Sequence, residues 1–398
     1  MTKESDISVG IAGAGSVAFA TAAFLSQNAI PATLWSPSGA RTRALAAGAD
    51  LVATGAVEGS FRPAIAESAR ALAEASDVLM IVLPAYGHKA VMDALAPHVR
   101  PGQPVIISSH ASLGALYLSD LLARRRVVAP IVAWGTTIVT GRQQPDLTHV
   151  KVNTLRKSVD ICTVPERLSG EGLAICQRLF GDRFKVRDGL LAISLSNLNP
   201  QNHMGIALGN MTRMERGETW SQGQNVTPHV GRLLEALDRE RLEIAAALGL
   251  SVRTIFEHFH LSFHVPVASI SEMNLRMHEM GNGGTGPATA DSRYVTEDVP
   301  FGLVLTARLG EMTGRPATLH RAGIDIFSAM YGRDFARENV LIDAIGLDDM
   351  SLEQLQASIR DGILPDVPSR TGSGGSRVSG PSTQPARQNS NQFRERDE

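Results

Sequence analysis

Residues 7–37, ISVGIAGAGSVAFATAAFLSQNAIPATLWSP, read as strand, glycine turn, helix and second strand. Ile7, Val9 and Ile11 form a short apolar run with little polar alternation, as a strand covered on both faces requires. The turn Gly13-Ala-Gly15-Ser16-Val17-Ala18 matches G-x-G-x-x-G/A, and each small residue has its own reason. Gly13 permits the tight exit from the strand, Gly15 offers bare backbone to a pyrophosphate, and Ala18 lets the following helix pack close. The N–H groups of Ser16 and Val17 open a helix expected over Ser16–Gln27, where the dipole favours an anion. A strand over Ala32–Trp35 completes the unit and supplies the context that gives the motif meaning. The other reading of the same residues is a glycine turn in some other α/β protein.

Outward from this stretch, the chain of 398 residues has room for two or three domains. An apolar content of 43% can fill an ordinary core. A net charge of −2 with mixed signs leaves no electrostatic footprint for nucleic acid or a membrane surface. No apolar run reaches the roughly 18 residues of a spanning helix. Cys162 and Cys176 are too few for a disulfide framework. With no signal peptide ahead of Ile7, a cytoplasmic protein with two structural thiols is expected. The oligomeric state stays open, a homodimer among the options.

The second strand ends in Leu34-Trp35-Ser36-Pro37, without the Asp or Glu that usually holds the ribose 2′-OH of NAD. Ser38, Arg41 and Arg43 follow instead, which together with Ser36 suits a 2′-phosphate and favours NADP over NAD. The bland alternative leaves Arg41 and Arg43 solvated on the next helix. Helical character is expected around Pro63–Ala75, then a buried strand at Asp77–Leu83, DVLMIVL, whose carboxyl end carries Pro84-Ala85-Tyr86-Gly87-His88. Ligands gather at such ends, so Pro84 is a cofactor-contact candidate, whereas His88 reads as a loop-tip or capping residue. Further strands are expected at Pro104–Ser108, Val127–Trp134, His149–Thr163 and Arg183–Val186, with a helix at Ser169–Leu179. Pro130 argues against a central position for the second of these.

After Leu190 the spacing turns helical: Met211–Gly217, Thr227–Leu248 and Val252–His260 carry apolar residues at helical intervals. The expected architecture is therefore an α/β Rossmann domain with a mostly parallel, doubly wound sheet over 1–187. An all-α substrate and catalytic domain over 188–364 follows, then a disordered Ser/Gly/Pro/Gln/Arg tail over 365–398. Two constellations in the helical half bear on chemistry. In Asn199-Pro-Gln-Asn-His203-Met, Asn199 and Pro200 are expected to break one helix and put His203 in the first turn of the next. In Arg293-Tyr-Val-Thr-Glu297-Asp298-Val-Pro300, Arg293 offers a planar fork for a carboxylate, and a carboxylate five residues on can orient an imidazole. His258, His260 and His264 straddle a helix end and do not share a face, so no metal site is expected, although they could line a cleft. Trp220 reads equally as a substrate cover or as packing, and Met204, Met211 and Met214 read as core.

With GAGSVA, VLPAYGH, NPQNHMG and RYVTEDVP in place, the chain resembles the opine dehydrogenase family, the octopine and nopaline dehydrogenases and their bacterial relatives, over nearly all of residues 7–345. The resemblance implies a proton-transferring dyad of His203 and Asp298, with Arg293 binding the oxo-acid carboxylate; Glu297 leaves open which acid points inward. It implies NAD(P)H-dependent reductive condensation of an amino acid with a 2-oxo acid, of the pyruvate or 2-oxoglutarate type, through an imine. The alternatives are a simple hydroxy-acid or ketopantoate-type dehydrogenase, and a nucleotide-sensing protein without catalysis.

Overall fold

The computed structural model describes residues 7–365; the expected disordered tail falls outside the described residues beyond Pro365. Among the described residues, twelve strands form two sheets. They are β1 Val9–Ala12, β2 Ala32–Trp35, β3 Leu51–Gly55, β4 Gly59–Phe61, β5 Ala64–Ile65 and β6 Val78–Ile81, followed by β7 Val105–Ile107, β8 Ile131–Trp134, β9 Val139–Gln143, β10 His149–Leu155, β11 Val159–Val164 and β12 Phe184–Val186. The large sheet runs β12-β11-β8-β7-β6-β1-β2-β5 and is parallel except where β11 meets β8. Its central strands β1, β6, β7 and β8 are buried at every residue, as unbroken apolar runs demand. From β1 the chain proceeds outward to β2 and β5, and from β6 it proceeds the other way through β7 and β8. The crevice at that reversal, beyond the carboxyl ends of β1 and β6, is where α/β sheets bind ligands.

The expected first helix spans Ser16–Gln27, and Ala18 to Leu25 are all buried. A helix apolar on every side needs cover on every side. The second cover is a four-stranded sheet, β4-β3-β10-β9, which sequence reading missed. It comes so close at Gly141 that a Cβ there would lie 3.1 Å from Ala20 Cβ. Its outer strands are short, polar and half exposed, so they carry no buried-strand signal. The expected continuous strand His149–Thr163 is accordingly two strands in different sheets. The segment expected as helix from Pro63 begins instead with β5 at the sheet edge; the helix is Ala69–Glu74, capped by Ser68. Pro130 proves compatible with an internal strand, because it precedes β8 and contributes only its carbonyl, accepting from Val105 N–H at 3.0 Å.

Beyond β12 the chain is helical: Gly189–Ser196, Asn199–Glu215, Pro228–Ala247, Ile255–Phe263, Ile270–Glu279, Val304–Met312, Thr318–Tyr331 and Leu352–Asp361, with a shorter helix at Val340–Ile345. One buried apolar cluster runs from the sheet face through Ile107 and Leu116 into Leu190, Met204, Leu234 and Phe327. Met204, Met211 and Met214 belong to it. Cys162 and Cys176 are free and buried. The last helix returns to the nucleotide half, where Leu364 N–H donates to Asp120 Oδ1 at 3.0 Å.

Candidate active site

The glycine turn has the geometry its residues predict. Gly13 holds φ +148°, and a Cβ there would lie 2.0 Å from the Val82 carbonyl oxygen, so no side chain is admissible. At Gly15 a Cβ would meet nothing within 4 Å, which leaves open space over the backbone. Gly15 is also the N-cap of the helix that Ser16, Val17 and Ala18 begin, and no side chain caps that helix end. These features fit a dinucleotide pyrophosphate, which needs bare backbone and free N–H donors. At the end of β2 a hollow is lined by Ser36, Ser38, Thr42, Arg43 and Glu67. Arg43 borders it and Arg41 does not, although both side chains are exposed on either side of buried Thr42.

A second cleft of about 630 Å³, including its open mouth, lies beyond the carboxyl ends of β6 and β7. Ala85 and Ser109 to Ser112 form its sheet side; Asn199, Pro200, Arg293, Glu297, Asp298 and Phe301 face them from the helical half. Pro84, exposed and extended at φ −60°, leads into Ala85.

The preceding helix does end ahead of this motif, at Ser196, but the next begins at Asn199 itself and not at His203. Proline is tolerated in a first turn, where its missing N–H would find no partner. Asn197 Oδ1 accepts from Asn199 N–H at 3.1 Å just ahead of it. His203 is therefore the fifth residue of Asn199–Glu215, in the second turn and not the first, where the helix-end field has faded. Its Nδ1 stands 2.7 Å from Asp298 Oδ2, with the imidazole 14% and the carboxylate side chain 9% exposed. Nε2 is the nitrogen that this carboxylate leaves unengaged.

The Tyr294 ring stacks on His203, the centroids 3.6 Å apart and the planes 8° from parallel. Its hydroxyl donates to Gln222 Oε1 at 2.5 Å, and burial pushes the phenol up to about 12, so it stays a donor. In the sequence, the one signal for Tyr294 is its place beside Arg293. Asp298 ends up on the histidine because it stands at the start of the π-helical turn Val299–Leu303, past the short helix Arg293–Thr296. Such turns are frequent at functional sites. Glu297 points elsewhere: Oε1 accepts from Ala85 N–H at 3.0 Å, and Oε2 lies 3.5 Å from Arg293 Nε. Burial raises its pKa, against the lowering effects of Arg293 and the Ala85 amide. The Arg293 side chain, 59% exposed, lines the cleft.

Other candidates are structural. His88 opens a helix and is buried, with Nε2 3.0 Å from the Leu83 carbonyl; burial pushes it down to about 4. His110 borders the cleft, accepts from Ala115 N–H through Nε2, and is held down to about 3 by burial and then by nearby His88. His258 packs against Phe259 and Phe263, His260 Nδ1 lies 2.8 Å from the Val265 carbonyl, and His264 caps its helix at φ +56°. None of these three lines the cleft, and among the described residues no group of three or more His, Cys, Asp or Glu could hold a metal. Trp220 is buried, covers Gly286 and donates to the Pro287 carbonyl at 3.1 Å. That is packing.

With this geometry in hand, comparison with known proteins divides the chain as its architecture does. Residues 186–331 match the family described as NAD/NADP octopine/nopaline dehydrogenase, alpha-helical domain, and residues 9–150 match ketopantoate reductase PanE/ApbA. The chain is 28% identical to an opine dehydrogenase of an Arthrobacter species, covering 88% of this chain and 98% of that one. It is 23% identical to a vitopine synthase of Allorhizobium ampelinum, over 83% and 95% of the two chains. Among solved structures, octopine dehydrogenase in complex with NADH and agmatine matches with a TM-score of 0.75 at 15% identity, over 89% of this chain and 98% of that one. Yersinopine dehydrogenase with NADP+ bound matches with a TM-score of 0.64 at 16% identity, over 89% and 98%. The two structural matches carry the fold: a Rossmann-like half with a mostly parallel sheet, then a helical half.

Proposed function

We propose that this chain, whose residues 186–331 carry the octopine/nopaline dehydrogenase helical domain, is an NAD(P)H-dependent opine dehydrogenase. It joins the amino group of an amino acid to the carbonyl carbon of a 2-oxo acid and reduces the product to a secondary amine bearing two carboxylates. The observation that carries this reading is the 2.7 Å contact between His203 Nδ1 and Asp298 Oδ2 beside a cleft that faces the ends of β6 and β7.

Condensation needs a base to take a proton from the incoming ammonium and an acid to give one to the departing hydroxyl. A single imidazole near neutrality performs both in turn. Asp298 accepts from Nδ1–H, which fixes the tautomer, leaves Nε2 to exchange the proton, and stabilises the imidazolium that forms. The nitrogen lone pair forms the C=N bond as water leaves. Arg293 binds the oxo-acid carboxylate with its guanidinium and turns the carbonyl carbon towards the sheet side. Gly13, Gly15 and the amides of Ser16, Val17 and Ala18 would hold the pyrophosphate, with Pro84 and Ala85 alongside the nicotinamide. Bound there, NAD(P)H supplies the hydride that reduces the imine. The missing carboxylate after β2, with Ser36 and Arg43 in its place, supports NADP over NAD. The buried free thiols Cys162 and Cys176 suit a reducing cytoplasm.

Oxidation of NADPH or NADH, followed with a panel of amino acids and with pyruvate or 2-oxoglutarate, tests the proposal. Turnover that requires both substrates is the expected result. Turnover with the oxo acid alone would make the chain a simple carbonyl reductase, and none at all would leave a nucleotide-binding protein.

A further inference from the structure

The dyad and the arginine leave one buried acid of the motif without a part. Glu297 belongs to the helical half, yet its Oε1 accepts from the backbone N–H of Ala85, which follows Pro84 at the end of β6, at 3.0 Å. Its Oε2 lies 3.5 Å from Nε of Arg293, one helical turn earlier. One carboxylate thus touches both the loop expected beside the cofactor and the guanidinium expected to hold the oxo acid.

We propose that Glu297 is a positioning residue of the oxo-acid site, gripping Arg293 by its Nε edge so that the two Nη atoms are presented to the substrate carboxylate, while its other oxygen holds the Ala85 loop at a fixed height. The inference rests on the opine dehydrogenase reading. A long arginine side chain, more than half exposed, has many rotamers, and a substrate carboxylate would have to order it at an entropic cost. An ion pair at the Nε edge removes much of that cost in advance and leaves the paired donors of the fork free for bidentate contact. Burial disfavours the charge on Glu297 and leaves its pKa raised, with the guanidinium and the amide offsetting part of that effect. The coupling is short, since the same carboxylate sets the guanidinium and the backbone next to the hydride donor.

The test uses the full chain with NAD(P)H bound and titrates pyruvate and 2-oxoglutarate by calorimetry, alongside steady-state KM values for each substrate. Glu297→Gln keeps the shape and an acceptor for Ala85 N–H but loses the charge. It is expected to weaken oxo-acid binding roughly tenfold, with NAD(P)H and amino-acid constants within about twofold. Glu297→Ala loses both contacts and is expected to weaken oxo acid and NAD(P)H together. Melting temperature is followed in each variant, because a general loss of packing would raise all three constants. Unchanged oxo-acid binding in Glu297→Gln, where the wild type binds, overturns the inference alone. A wild type that takes up neither oxo acid overturns it along with the proposed function.

Discussion

His203 and Asp298 are separated by 95 residues and joined by a 2.7 Å contact between Nδ1 and Oδ2. The histidine comes from the second turn of a long helix and the aspartate from the start of a π-helical turn, so each is held by backbone that the other does not share. Breaking either side should stop proton transfer without disturbing the nucleotide site across the cleft. We expect His203→Ala to lower kcat by roughly 10²–10⁴-fold and Asp298→Asn to act in the same direction. Nucleotide affinity, read by quenching of intrinsic fluorescence, should stay within about twofold. A fully active His203→Ala protein would remove the proposed acid/base.

Tyr294 should act through its ring more than its hydroxyl. Tyr294→Phe keeps the 3.6 Å stack on His203 and loses only the bond to Gln222. Tyr294→Ala frees the imidazole to rotate off Asp298. Turnover should therefore fall about tenfold or more in the alanine variant and only slightly in the phenylalanine variant. Equal losses in the two would assign the role to the hydroxyl instead.

The two turn glycines should fail in different ways. Gly13→Ala drives a methyl against the Val82 carbonyl at a φ of +148°, and should cost more than about 3 kcal/mol of stability by denaturant titration. Gly15→Ala meets no atom of the protein within 4 Å. It should fold and melt normally yet bind NAD(P)H poorly, because its methyl occupies the pyrophosphate's approach. Normal binding by Gly15→Ala would move the phosphates off this turn.

Cofactor preference should reside in Arg43. The ratio of KM values for NADPH and NADH in Arg43→Ala and Arg41→Ala decides this. Loss of Arg43, which lines the hollow after β2, should raise KM for NADPH roughly tenfold and leave NADH alone, whereas loss of Arg41 should do much less. The opposite ranking would give the 2′-phosphate to Arg41 instead.

Acid should destabilise the fold through two histidines outside the dyad. Burial holds His88 down to about 4 and His110 down to about 3, from an ordinary value of 6.5. Below pH 6.5 the unfolded chain takes up protons at both rings while the folded protein does not. Stability should thus decline as pH falls, by roughly 1.4 kcal/mol per unit for each histidine until its folded pKa is reached. Unfolding free energies measured from pH 7 to 4 should show this slope, and His88→Gln should remove its share. A wild-type slope that His88→Gln leaves unchanged would assign the acid sensitivity to other groups.

Local order was legible in the chain because neighbouring residues encode it. The apolar run before Gly13, the small residues at 13, 15 and 18 and the alanine-rich stretch after them specify strand, turn and helix by sterics and periodicity alone. The helix Ser16–Gln27 and the strand Ala32–Trp35 have the expected bounds. The small sheet was not legible, since its short outer strands owe their existence to the buried helix they cover.

The sequence by itself determined that a glycine turn of dinucleotide type stands ahead of a helical half, and it singled out His203, Arg293 and the adjacent acids Glu297 and Asp298 as the residues to test. Only the tertiary structure decided that Asp298 meets the imidazole, that Glu297 bridges Ala85 and Arg293, that Tyr294 covers the ring, and that Arg43 borders the hollow. Consecutive helical residues point about 100° apart, so adjacency along the chain says nothing about which of two neighbours faces a partner 95 residues away. That choice belongs to the packing of whole elements against one another.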